Sequence, residues 1–115
     1  MQNNYRTKDG TISRRVIRNI AKRIAEKFEV EKIILFGSYA NGKPKRTSDV
    51  DMLVIMNYYQ RPFKQSLDIL ASLSPRYFAI DLIVKSQEDI ESRIPQGDWF
   101  LKDAYEKGKV IYEKR

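Results

Sequence analysis

The residues with the clearest chemical potential are a Gly-Ser pair and a D-x-D motif that stand close together in the chain. Gly37-Ser38 is followed by ten residues and then by Asp49-Val50-Asp51. A glycine lets the backbone turn sharply and approach a ligand closely, and the serine adds an N–H group and a hydroxyl that suit phosphate. Carboxylates together with substrate phosphate oxygens are typical ligands of Mg²⁺. The two motifs together predict a site for a nucleoside triphosphate and its magnesium ions.

The two carboxylates of the D-x-D motif begin an apolar run, residues 50–56, that predicts a buried β-strand. Strand side chains alternate between faces, so Asp49 and Asp51 share a face. Carboxylates this close repel each other, and a divalent cation relieves the repulsion. Because the chain has no His and no Cys, the usual nitrogen and sulfur ligands of zinc are missing. Taken alone, D-x-D is more typical of a solvated strand start or a capping aspartate. Together with the Gly-Ser pair, it favours a metal site instead.

A third carboxylate lies within another apolar, β-prone run, residues 77–85, which is interrupted only by Asp81. A charge within a buried strand is costly unless it is paired or binds a metal. If this strand lies beside residues 50–56, Asp81 joins Asp49 and Asp51 in one acidic site. The alternative is an edge strand on which Asp81 faces water.

The elements that must position these side chains are strands separated by helices. Strands are predicted at residues 31–36, 50–56, 77–85 and 109–112, and helices at residues 13–28, 38–41, 61–73, 86–93 and 98–107. The fourth helix begins with a capping box formed by Ser86 and Asp89. Residues 1–10 are expected to form a flexible N-terminus, and residues 11–115 a single domain.

Two apolar groups on the helices are expected to lie in the core. The third helix carries a stripe at helical spacing, formed by Phe63, Leu67, Leu70 and Leu73. The last helix carries an aromatic group formed by Trp99, Phe100 and Tyr105. These rings could stack on a base, but core packing is the preferred interpretation, since a docking helix needs apolar anchors.

Composition favours a small protein with an anionic partner. The 115 residues include 22 Lys and Arg against 15 Asp and Glu, a net charge of +7 that favours nucleotide, nucleic acid or an acidic protein face. Much of the excess lies on the first helix, at Arg14, Arg15, Arg18, Lys22 and Arg23. That face is either solvated or a patch for RNA or an acidic protein. The polar start, the lack of Cys and the absence of an apolar run of ~20 residues predict a cytoplasmic protein that does not contact a membrane.

The combined pattern G-S-Y-A-N-G, S-D-V-D-M-L-V and A-I-D-L-I-V resembles the DNA-polymerase-beta-like nucleotidyltransferase superfamily. More narrowly, it resembles the small, single-domain minimal nucleotidyltransferases, over residues 12–112. The resemblance implies the nucleotidyltransferase fold, an α+β class (α/β two-layer) with a mixed β-sheet flanked by helices. It also implies that Gly37 and Ser38 hold the triphosphate and that Asp49 and Asp51 bind two Mg²⁺ ions. Asp81 would be the third metal ligand or the base that activates the attacking hydroxyl.

One position departs from many relatives, which carry Arg where this chain has Asn41. An Arg could contact phosphate in a bidentate way, and Asn supplies no charge. Lys43, Lys45 and Arg46 in the following loop are expected to compensate, with Lys43 and Arg46 as nucleotide-binding residues. The alternative is a solvated, flexible basic loop.

The resemblance also implies a protein partner. Longer relatives carry a second helical domain that binds the acceptor, and 115 residues leave no room for one. Minimal nucleotidyltransferases are often paired, as antitoxin to toxin, with a small helical HEPN-domain protein. The implied reaction moves AMP from ATP to a tyrosine of that partner. Two alternatives stay open: a non-catalytic antitoxin module that binds its partner, and a nucleotidyltransferase subunit that acts on RNA or a small molecule.

Overall fold

The computed structural model describes residues 5–115, and every predicted helix and strand is present in it. The elements are α1 (Arg14–Lys27), β1 (Val30–Phe36), α2 (Ser38–Asn41), β2 (Val50–Met56), α3 (Pro62–Ser72), β3 (Ile80–Lys85), α4 (Gln87–Arg93), α5 (Trp99–Lys107) and β4 (Lys109–Glu113). The largest difference is at β3, which begins three residues later than predicted. Tyr77 stacks on Tyr5 at 5.4 Å between ring centroids, and Phe78 packs against the core, so neither ring joins the sheet.

The strands form one mixed sheet in the order β3-β2-β1-β4. β1 is antiparallel to both β2 and β4, whereas β2 and β3 are parallel. The α3 helix makes the crossover between the two parallel strands, as such a connection requires. The predicted α+β class, with a mixed sheet flanked by helices, is confirmed.

The sheet has a core on each face. On the first face, α1 and α3 pack against Met52 and Val54 of β2, and on the second face α4 and α5 pack against Leu53 and Ile55. The helices therefore flank the sheet on both sides, as predicted. The reason lies in β2, where side chains of both faces are apolar and both need cover from water.

Only part of the apolar stripe of α3 lies in the core as predicted: Leu73 is buried there, and Leu70 packs against it. Phe63 is 75% exposed and Leu67 is 46% exposed, while Gln65, Ser66 and Ile69 are buried. α3 packs on the edge strand β3, and the rotation that places Ile69 over the sheet leaves the first part of the stripe outside. Phe63 and Leu67 instead line a groove along β3.

Two of the three aromatic residues on α5 are also outside the core, contrary to expectation. Trp99 is 82% exposed and Phe100 is 58% exposed, and only Tyr105 packs partly against the second core. The buried face of α5 is formed by the smaller Leu101 and Ala104, three residues apart.

The predicted flexible N-terminus includes residues 1–4, which lie outside the described residues. Residues 5–12 form a turn. Arg6 and Ile12 pair in an isolated antiparallel β-bridge, and the N–H of Thr7 donates to the carbonyl of Thr11 at 2.7 Å. Ile12 is buried, and its N–H donates to the hydroxyl of Tyr39 at 2.9 Å. Among the described helices, none has the length and apolar character needed to cross a membrane.

Candidate active site

The turn at Gly37 brings the end of β1 against the D-x-D motif. Gly37 has φ +73° and ψ −153°, a conformation that is essentially restricted to glycine. A Cβ atom at this position would overlap Oδ2 of Asp51. Ser38 then begins α2, where the first N–H groups of a helix have no intrahelical partner. The sequence therefore needs glycine at position 37 both for the turn and for the contact with Asp51.

The sheet register brings Asp51 and Asp81 side by side. Asp51 is the partner of Phe36 on β1 and of Asp81 on β3, and β2 and β3 run parallel through this point. Asp49 lies two residues before Asp51, and the alternation of strand side chains directs it to the same side. Asp81 is exposed on the edge strand β3. It therefore faces water, as one interpretation of the sequence predicted, and it also neighbours Asp51, as the other predicted.

Asp49 and Asp81 act electrostatically on Asp51. Burial, together with the charges of Asp81 and Asp49, raises the pKa of Asp51 to about 6 from an ordinary value of 3.8. A nearby divalent cation would oppose this shift, and an all-oxygen donor set suits Mg²⁺ rather than zinc. In residues 5–115, no group of three acidic side chains converges closely enough to hold one ion. The carboxylates thus fit Mg²⁺ by donor chemistry and by mutual repulsion, with phosphate oxygens needed to complete its coordination.

The basic loop after α2 is only partly directed towards this turn. Lys43 is exposed, and its backbone N–H donates to Oδ1 of Asn41 and to the carbonyl of Ser38, each at 3.1 Å. The stem of Arg46 packs over Gly10 in the N-terminal turn, where an added Cβ would lie 2.6 Å from its Cγ. Lys43 therefore borders α2 directly, while the stem of Arg46 is held by the N-terminal turn.

A cavity of about 310 Å³ opens between α2 and α5 next to the Gly37 turn. It is lined by Phe36, Gly37, Ala40, Asn41, Phe100, Asp103, Ala104, Lys107 and Gly108. The rings of Phe36 and Phe100 meet edge to face, with 5.6 Å between centroids. Sequence reasoning missed Asp103 and Lys107. The sequence signal for this part of the site was Gly108, directly after α5. A Cβ at this position would collide with Ile34 and with the backbone carbonyl of Leu35, so the glycine lets the end of α5 reach β1.

Comparison with known sequences finds one family and several relatives. The family described as "Polymerase beta, Nucleotidyltransferase" matches residues 18–115. Two proteins of Methanocaldococcus jannaschii, both named as candidate protein adenylyltransferases, are similar to the chain. The first is 35% identical over 85 residues, covering 72% of this chain and 79% of the relative. The second is 35% identical over 75 residues, covering 62% of this chain and 83% of the relative.

Comparison with solved structures finds the same fold. A candidate nucleotidyltransferase from Sulfolobus solfataricus aligns with a TM-score of 0.61 at 19% identity, over 87% of this chain and 79% of that one. A toxin–antitoxin structure with AMP-PNP aligns with a TM-score of 0.56 at 20% identity, over 85% of this chain and 74% of that one. At these identities the structural likeness establishes the fold alone.

Proposed function

Since this chain belongs to the polymerase beta nucleotidyltransferase family, we propose that it moves AMP from ATP to a hydroxyl group of a protein partner. The observation that carries the proposal is the contact of the Gly37 turn with Asp51, which in turn pairs in register with Asp81. A phosphate-binding turn and two carboxylates are thereby held together by the backbone. The similarity to relatives named as candidate protein adenylyltransferases supports AMP as the transferred group.

The donor half of the reaction is assigned to the Gly37 turn, the three aspartates and the loop after α2. The turn at Gly37 and Ser38 holds the triphosphate through N–H groups and the serine hydroxyl. Asp49, Asp51 and Asp81 would hold two Mg²⁺ ions. Such ions, when bound, lower the pKa of an attacking hydroxyl and neutralise the charge of the leaving pyrophosphate. Lys43, next to α2, and Arg46 are the loop cations proposed to contact phosphate.

The acceptor half of the reaction is assigned to the exposed side of Asp81. An oxygen of the acceptor forms a bond to the α-phosphorus, the bond from that phosphorus to the bridging oxygen of pyrophosphate breaks, and the acceptor proton passes to a carboxylate oxygen of Asp81. Its position on an edge strand supports this role, because a side chain from another molecule can reach it without displacing part of the fold.

The proposed partner is a HEPN-domain toxin that presents a tyrosine, so that this chain acts as its antitoxin. The fold shared with a toxin–antitoxin structure containing AMP-PNP supports this choice. RNA is a weaker candidate for the acceptor, because α1, which carries the basic patch, packs on the face of the sheet opposite to Asp51. A protein acceptor that approaches the edge strand β3 fits the geometry better.

The test is transfer of label from ATP to the purified partner. Protein, Mg²⁺ and the HEPN-domain partner are incubated with ATP labelled at the α-phosphate, and in parallel with ATP labelled at the γ-phosphate. We expect label on the partner from the α-position only, and its loss in Asp49→Asn and Asp51→Asn. Asp68→Asn, an aspartate on α3 away from the site, is the matched control and should transfer normally.

Two results would contradict the proposal. Tight binding of the partner with no transfer of label would indicate the non-catalytic antitoxin module. Transfer to added RNA or to a small molecule, with none to the partner, would show that the acceptor is of another class.

A further inference from the structure

The cavity between α2 and α5 continues from the turn that is proposed to hold the triphosphate. Gly37 touches Asp51 on one side and lines the cavity on the other. The aspartates lie on β2 and β3, whereas the cavity lies over the end of β1 on the side towards β4. A phosphate chain that begins at the aspartates and crosses the turn therefore has its far end at the mouth of this cavity.

Among the described residues, one cation lines this cavity, and the ion pair that it forms is weak. Lys107 and Asp103 are the charged lining residues, and Nζ of Lys107 lies 3.4 Å from Oδ1 of Asp103. Both side chains are mostly exposed, at 79% and 67%. An exposed pair of this kind contributes little to stability. Lys107 can therefore leave Asp103 for a more highly charged anion at small cost.

No other residue lining the cavity, in the part of the chain that the structure describes, carries a positive charge. Asn41, from α2, is neutral, and its Oδ1 accepts a hydrogen bond from the backbone N–H of Lys43 at 3.1 Å. Lys107 is the last residue of α5, and the C-terminal end of a helix carries partial negative charge. Without the ammonium group of Lys107, this wall would repel a phosphate.

We propose that Lys107 binds the β- and γ-phosphates of the nucleoside triphosphate and stabilises the pyrophosphate that leaves. The proposal deepens the function given above and rests on it for the identity of the ligand. When no nucleotide is bound, Asp103 holds the ammonium group at the cavity. When nucleotide binds, Lys107 exchanges this exposed carboxylate for phosphate oxygens, and the negative charge that develops on pyrophosphate during transfer is met by a cation already in contact with it.

The test measures equilibrium binding of AMP, ADP and a non-hydrolysable ATP analogue, with Mg²⁺ and at constant ionic strength. Lys107→Gln should weaken binding of ADP and of the ATP analogue about tenfold, as expected for a hydrogen bond to a charged group, and AMP by less than about twofold. Asp103→Asn should bind the ATP analogue somewhat more tightly, because it removes the competing carboxylate. Lys102→Gln, on the same helix but outside this cavity, is the matched control.

A second-site variant makes the assignment more specific. Asn41 lies across the cavity from Lys107, so Asn41→Arg in the Lys107→Gln background should restore binding of the ATP analogue. Unfolding curves check the fold, which an exposed lysine should not affect. Equal weakening of all three nucleotides would place Lys107 against the base or ribose and overturn the proposal, as would wild-type binding by Lys107→Gln.

Failure of this inference can be told apart from failure of the proposed function, because binding requires no acceptor. If the wild-type protein binds the ATP analogue but labels no partner, the proposed acceptor is wrong and the role of Lys107 is still decided by the variants. If the wild-type protein binds no nucleotide, both proposals are overturned.

Discussion

At the scale of single residues, the site depends on how closely Gly37 and Asp51 approach each other. The glycine conformation and the missing Cβ leave room for the Asp51 carboxylate. That carboxylate is half-buried beside Asp81, and its ionisation is opposed by burial and by its two acidic neighbours. Charge repulsion is thus concentrated at the point where a bound Mg²⁺ ion would relieve it.

Replacement of Gly37 by alanine should abolish transfer and destabilise the protein. The backbone conformation alone costs about 1–3 kcal/mol for a residue with a side chain, and the new Cβ also displaces the Asp51 carboxylate. Gly42→Ala is the matched control: Gly42 has φ +81°, but no atom lies within 4 Å of an added Cβ. It should lose about 1–2 kcal/mol of stability from the left-handed conformation and keep its activity.

Urea unfolding and the transfer assay measure both effects. Wild-type transfer by Gly37→Ala would show that Asp51 does not need its present position.

Replacement of Asp51 by asparagine should stabilise the protein at neutral pH when metal is removed by a chelator. Asp51 has a pKa of about 6 in the folded protein, above its ordinary 3.8, so the folded state binds the proton more tightly than the unfolded state. The resulting stabilisation is complete below about pH 4 and is lost as the pH rises through about 6. Asn carries no charge to be repelled by Asp49 and Asp81, so the variant should avoid that loss.

Thermal unfolding in EDTA between about pH 4 and 8 tests this expectation. The melting temperature of Asp51→Asn should exceed that of the wild type at pH 8, and the difference should shrink as the pH falls. An unchanged difference across this range would mean that Asp51 does not titrate in it.

At the scale of elements, the face of a helix that enters the core depends on the elements against which the helix packs. The α3 helix turns Gln65, Ser66 and Ile69 inward although Phe63 and Leu67 are more apolar, because it packs on the edge strand β3. The inward face of α3 therefore buries polar side chains, which is unfavourable for the free energy of folding. Both side-chain polar atoms of Gln65 are buried, and neither has a hydrogen-bond partner among the described residues.

Replacement of Gln65 by methionine should stabilise the protein by about 1 kcal/mol. Methionine has a similar shape, and it removes two polar atoms whose burial without partners is unfavourable. Gln60→Met is the matched control, because Nε2 of Gln60 donates to Asp68 at 2.6 Å and a real interaction would be lost. Urea unfolding compares the two variants. Clear destabilisation by Gln65→Met would show that the amide is satisfied in solution.

At the scale of the whole molecule, one sheet joins the two cores. Successive residues of β2 alternate between them, so that Met52 belongs to the first core and Leu53 to the second. Neither helical layer can keep its core once the strands separate. The candidate active site lies at the end of this shared sheet, and its geometry depends on both layers.

The two cores should therefore unfold in a single transition. Ile69→Val in the first core and Ile90→Val in the second should each lower stability by about 1 kcal/mol. Phe63→Leu, at a position that is 75% exposed, should stay within about 0.5 kcal/mol of the wild type. Urea unfolding followed by circular dichroism and by tyrosine fluorescence should give coincident curves. Separate transitions for the two probes would show that the layers unfold independently.

The sequence by itself determined which elements form and which residues could do chemistry. Periodicity, the Ser86–Asp89 capping box and the spacing from Gly37 to Asp51 are local properties, and the structure contains each of the elements they predicted. The tertiary structure decided which faces are buried, as at Phe63 and Trp99, and that Asp81 lies on an edge strand.

Only the tertiary structure could also bring Lys107 to the cavity beside Asn41, since the strands β2 and β3 and the helices α3 and α4 lie between them in sequence. A pattern along one segment specifies a helix or strand and its polar and apolar sides. The side that is covered depends on elements distant in the chain, which compete for the same sheet surface. That competition is settled by packing, which determines both the exposure of Asp81 on the edge strand and the position of the cavity at Lys107.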